Sequence, residues 1–169
     1  MFAKDDPRTR ALFNGQEIRM KKKLVLTVGN QMMGDDAAGP LLAQRMQRVP
    51  LDNWELLDGG ATPENVLYSI REMNPDQVLV IDAADMDLTP GEVRLISTEK
   101  LEDPFLMTTH TLPLSYLVES LREFVPQVDL VGIQPQIVAW GYPVSKEVKQ
   151  AVEQVYEDLK QDDFVWNCL

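Results

Sequence analysis

The 169-residue chain is short of sulfur, imidazole and positive charge: it has one cysteine, one histidine, and 16 basic residues against 27 acidic ones. With Cys168 alone, neither an intrachain disulfide nor a thiolate metal cluster can form, which fits a reducing cytoplasm. With His110 alone, a tight structural zinc site built on paired histidines is excluded as well. A formal charge of −11 repels a polyphosphate instead of releasing its counterions, so nucleic acid is not an expected partner. No apolar run reaches the roughly 18 residues that span a bilayer, and the N-terminus lacks the basic-then-apolar order of an export signal. Membrane insertion is therefore not expected. Gly/Ser-rich linkers, internal repeats and heptad seams are missing too, so one domain is expected, over 23–161. Residues 1–22 are polar and without helical or alternating period, and a second methionine, Met20, falls within them. They read as a disordered leader, and 162–169 as a C-terminal tail.

What is present is an alternation of apolar strands and amphipathic helices. "KLVLTVG" at 23–29 is a short run rich in branched side chains, closed by glycine, and reads as a buried strand. Across 36–48, Ala38, Leu41, Leu42 and Met46 recur at helical spacing, with Pro40 tolerable in the first turn. A second unit follows: "WELLDGG" at 54–60 as strand, then a helix opened by Thr62 as N-cap and Pro63 as first residue. "QVLVIDAAD" at 77–85 is the most apolar strand, "GEVRLIS" at 91–97 alternates as a half-exposed strand does, and "VDLVGIQP" at 128–135 is buried. Helices are expected over 113–124 and 146–160, the latter capped by Ser145 with Val148, Val152, Val155, Tyr156 and Leu159 facing inward. The pattern predicts an α/β, three-layer fold: a mainly parallel twisted sheet of about five strands between helices.

In open parallel sheets ligands bind outside the carboxyl ends of the strands. The residues just after the strands are Asp36, Asp58 and Asp82, and His110 stands in the polar loop that opens the next helix. Carboxylates with one imidazole suit a divalent cation of borderline hardness, nickel, zinc or a neighbour, in an open site completed by water or by a partner's ligand. Blander roles stay open for each: Asp35 and Asp36 as helix caps or dipole partners, Asp58 as a turn former before "GG", Asp82 as an acceptor for loop amides, His110 as a surface or helix-capping residue. Met32 and Met33 read as packing beneath their loop or as a contact surface for a partner. "GNQMMGDD" is no nucleotide loop, because the phosphate-binding motif demands lysine where Asp35 stands, and G-x-G-x-x-G is absent. Neither a G-x-S-x-G elbow nor an H-E-x-x-H pair occurs, so serine-hydrolase and zincin mechanisms lack support.

The blocks "GNQMMGDDAAGP", "DGGATPEN", "VLVIDAADM", "PGEVRLI", "MTTHTLPL" and "GIQPQIV", in this order, resemble the hydrogenase maturation endopeptidases, across 23–159. The resemblance implies a peptidase, often classed as aspartic-type, that removes a C-terminal extension from the large-subunit precursor of a nickel-iron hydrogenase after nickel insertion. It implies that Asp36, Asp82 and His110 contact nickel, and that Asp58 has a further role in activating water or positioning substrate. The nickel is then carried by the substrate as a recognition signal, and no organic cofactor is expected. Two other readings are a non-enzymatic flavodoxin-like module that binds metal or a partner, and a magnesium-dependent hydrolase of small molecules.

Overall fold

The computed structural model describes residues 10–13, 16–97, 100, 113–162 and 164–169. The first described segment differs from expectation. Residues 10–19 fall in the part read as a disordered leader, yet β1 (Arg10–Phe13) and β2 (Gln16–Arg19) pair as a two-stranded antiparallel hairpin apart from the main sheet. Pairing between backbone groups needs no apolar alternation, which is why the polar sequence gave no sign of it.

The main sheet contains β3 (Lys23–Val28), β4 (Glu55–Gly60), β5 (Gln77–Ala83), β6 (Val93–Ile96) and β7 (Gln127–Ile133), ordered β4-β3-β5-β7-β6. All neighbours are parallel except β6 on β7. Four α-helices lie among the described residues: α1 (Ala38–Arg48), α2 (Leu67–Met73), α3 (Leu114–Arg122) and α4 (Lys146–Gln161). Each falls within a residue or a few of where periodicity predicts it.

The branched strand residues β3 to β7 alternate between two helical layers, because successive side chains of a strand point to opposite faces. On one face Leu24, Leu26, Val78, Val80 and Leu130 pack with Ile70 of α2 and Leu114, Leu117, Val118 and Leu121 of α3. On the other, Val25, Leu79, Ile81, Val131 and Ile133 pack with Leu42 and Met46 of α1 and with Val148, Val152, Val155, Tyr156 and Leu159 of α4. All five inward residues expected on the last helix are buried, and Ser145 caps it by accepting from Val148 N. Thr62 precedes the short 3-10 turn Pro63–Val66 that leads into α2, but its hydroxyl accepts from Asn65 Nδ2 instead of capping a backbone N–H.

The C-terminal tail is tied to the domain. Phe164 stacks on Trp166, whose indole donates to Asp158, and Leu169 N donates to Leu95 O on edge strand β6. Covering an edge strand removes a free row of hydrogen-bonding groups.

Two glycines allow β3 to touch the turn and helix that follow it. A Cβ on Gly39 would stand 2.0 Å from Val28 O, and one on Gly29 2.1 Å from Asp36 O. Only a residue without a side chain fits there, and the turn after β3 is pressed against the sheet as a result.

Candidate active site

After β3 the chain moves outward to β4 and then returns past β3 to β5. The direction of sheet growth reverses there, and a crevice opens between the carboxyl ends of β3 and β5. The 3-10 turn Gly34–Ala37, which carries Asp36, packs directly on β5. Asp82 is the penultimate residue of β5. Both carboxylates are fully buried, and Asp36 Oδ2 accepts from Asn30 N at 2.7 Å. The topology thus sets the turn that carries Asp36 against the strand that carries Asp82.

Asp35 and Asp36 are adjacent in sequence and opposite in use. Neither caps a helix through its side chain. Asp35 Oδ1 accepts from Ser145 N at 2.6 Å, and Oδ2 accepts from Gln136 N, Ile137 N and Ser145 Oγ at 2.8, 3.1 and 2.9 Å. Four donors engage both of its oxygens, which marks it as a structural anchor between the turn after β3 and the loop after β7.

Asp58 lies apart from this pair. It sits on edge strand β4, exposed, with Oδ1 accepting from Thr27 Oγ1 at 3.2 Å and from Gly60 N at 3.0 Å. Leu56 packs in the layer of α1 and α4, and Asp58, two residues on, shares that face; the neighbours of Asp82 two positions away, Val80 and Ala84, belong to the other layer. Asp58 borders a cavity of about 640 Å³ that is also lined by Met46, Gln47 and Trp54. His110 lies outside the described residues. Among those described, no three His, Cys, Asp or Glu side chains gather closely enough to hold a metal ion.

One buried polar residue of the site was not singled out from the sequence. Gln134, which directly follows β7, accepts from Met86 N at 2.7 Å and Leu88 N at 3.3 Å, and donates to Asp85 Oδ1 at 3.0 Å. It clamps the loop that leaves Asp82. The rule that picked out the acids, residues just after buried strands, also points to Gln134. Beyond the clamp, Glu92 accepts from Thr89 N and from Arg94, and the first of these contacts does most to hold its carboxyl below the ordinary carboxylate range.

With two buried acids at the reversal point of the sheet, the chain can be set beside known proteins. A family model for hydrogenase maturation proteases matches residues 38–161. The hydrogenase 3 maturation protease of Escherichia coli strain K12 is 48% identical over 137 residues, 81% of this chain and 88% of that protein. The chain belongs to the hydrogenase maturation protease family. It is a peptidase, and the resemblance seen in its sequence holds. A putative hydrogenase maturation protease of Methanocaldococcus jannaschii is 32% identical over 148 residues, covering 82% of this chain and 86% of its own. The solution structure of the endopeptidase HycI from E. coli superposes with a TM-score of 0.82 at 45% identity, over 88% of this chain and 96% of that one. A HycI maturation protease from Thermococcus kodakarensis gives 0.74 at 26% identity, over 83% and 91%. The family match includes Asp58, Asp82 and His110 and begins just after Asp36.

Proposed function

We propose that this protease cuts a C-terminal extension from the large-subunit precursor of a nickel-iron hydrogenase of the hydrogenase 3 type, in the cytoplasm, once the precursor holds nickel. What supports this reading is that the turn carrying Asp36 packs on β5, whose penultimate residue is Asp82, at the point where the sheet reverses its growth. The carboxylate oxygens of Asp36 and Asp82 suit a divalent cation, and His110, four residues before the start of α3, would add the imidazole that favours nickel over a harder ion. α3 ends beside Val128 at the start of β7, so its first turn points back toward the carboxyl ends of the strands.

The nickel arrives with the substrate, and Asp36, Asp82 and His110 would read it and so fix the scissile peptide against the crevice. Hydrolysis then requires water to attack the carbonyl carbon, the C–N bond to break, and a proton to reach the departing amine. A carboxylate or the metal's charge can activate that water. Asp58, on the other face of the sheet and exposed, is assigned to the peptide instead of the metal.

The test is to mix the protein with nickel-loaded and nickel-free precursor and follow precursor mass. Loss of a C-terminal peptide from the loaded form only is the expected result. If both forms are cut alike, nickel is not the signal; if neither is cut while a matched control protease cuts the loaded form, this substrate is wrong. Asp36→Asn, Asp82→Asn and His110→Ala should each abolish processing of the loaded form, and full processing by any of them removes that residue from the site.

A further inference from the structure

We propose that Met32, Ile137, Trp140 and Tyr142 form a platform on which the folded body of the large-subunit precursor docks, beside the crevice that cuts its extension. The proposal rests on the function assigned above. These four large apolar side chains are 48%, 44%, 68% and 55% exposed, and all stand on two turns, one following β3 and one following β7. Single exposed apolar residues are ordinary on a protein surface, but a group of them gathered in one place calls for a partner.

The two turns are locked to each other. Asp35 N donates to Ile137 O and Gly141 N to Met32 O, both at 2.9 Å, while the Asp35 carboxylate holds Gln136, Ile137 and Ser145. Gly34 approaches Ile137 O so closely that a Cβ there would lie 2.6 Å away. A surface already fixed before binding loses little freedom on association, which favours affinity. Asp35 is thus a positioning residue, held in the interior to keep the platform in place.

Charge selects the same surface. The stretches "VGNQMMG" at 28–34 and "QPQIVAWGYPVS" at 134–145 contain no charged residue, although a quarter of the chain, 25%, is charged. The Asp35 carboxylate between them is buried. In a protein of net charge −11 this is an uncharged window, suited to a partner's apolar face. Its residue types, tryptophan, tyrosine and methionine, are those enriched in the centres of protein interfaces.

Position decides the occupant. The platform begins in the turn that holds Asp36, so whatever touches it is contiguous with what the crevice holds. Its residues do not line the cavity bordered by Asp58 and project from fixed turns, a surface that suits a folded body more than an extended peptide.

The experiment measures steady-state cleavage of nickel-loaded precursor by the full chain and by the double variant Trp140→Ala, Tyr142→Ala. The expected result is a KM raised about tenfold or more with kcat within about twofold, as for loss of interface anchors. Trp140→Phe should stay near wild type, and so should Tyr68→Ala, which removes a 74% exposed tyrosine from α2. A double variant with wild-type KM overturns the platform and leaves the proposed function standing. A wild-type chain that does not cut the loaded precursor overturns both. Binding of a synthetic peptide of the extension alone, lost in the double variant, would make the extension the occupant and refute docking of the folded body.

Discussion

At the scale of single residues, two neighbouring aspartates are expected to separate stability from function. Asp35 holds four donors, three of them backbone N–H groups in a loop more than a hundred positions away, so Asp35→Ala leaves those donors without their acceptor. A loss of about 3 kcal/mol is expected in urea unfolding, from the cost of unmade hydrogen bonds to a charged acceptor. Asp36→Asn keeps an oxygen for Asn30 N and should unfold within about 1 kcal/mol of wild type while processing is lost. Equal unfolding of the two variants would refute the division of labour. Asp36 and Asp82 could be picked out as candidates from the sequence because one lies in the turn after an apolar strand and the other near the end of one. The roles of Asp35 and Asp36 stayed open there because the partners of Asp35 lie 101 to 110 residues on, and only the fold brings them near.

Glu92 adds an acid-side prediction at the same scale. Its folded pKa is lowered by the backbone N–H of Thr89 and then by Arg94, so its contribution is present above the ordinary value of about 4.3 and is lost as pH falls through the lower folded value. Glu92→Gln should therefore unfold at lower urea than wild type at pH 7, with the gap closing as pH falls below the ordinary carboxylate range. A gap that widens toward acid would reverse the sign of the argument.

Among the elements, the connection from β5 to β6 shows what pattern alone could not supply. Strand and helix positions were legible because the central strands β3, β5 and β7 are short continuous apolar runs, β6 alternates, and the apolar residues of the helices repeat at a period near four. The loop between β5 and β6 has no such period, and its shape comes from Gln134. Gln134→Leu keeps the volume and removes the acceptor for Met86 N and Leu88 N, so about 3 kcal/mol of stability should go. Amide hydrogen exchange at Met86 and Leu88 should quicken more than at Val80 in the strand. Uniform quickening would mean that the glutamine supports the whole sheet instead of the loop. The C-terminal tail escaped the same way: its contact with β6 is a single bridge, Leu95 to Cys168, too short to leave a pattern.

For the whole molecule, the order β4-β3-β5-β7-β6 matters more than any element, because it sets the reversal between β3 and β5 and hence the crevice. Alternation of strands and helices implied a parallel sheet, but the order in which strands lie side by side is a property of crossovers and not of local composition. The hairpin β1–β2 is outside this logic. It forms its own two-stranded sheet, and both core clusters and every strand of the main sheet begin at or after Lys23. Its described link to the domain includes an ion pair from the exposed Arg19 to Asp76 at 3.5 Å, of a kind that contributes at most about 1 kcal/mol. Asp76 also accepts from Lys22 N, a bond that survives if the chain starts at Met20. A variant comprising residues 20–169 should therefore melt within a few degrees of the full chain and process loaded precursor at the same rate. A large fall in melting temperature would show that the hairpin is part of the fold. Unchanged melting with lost processing would place it instead among the surfaces that meet the substrate.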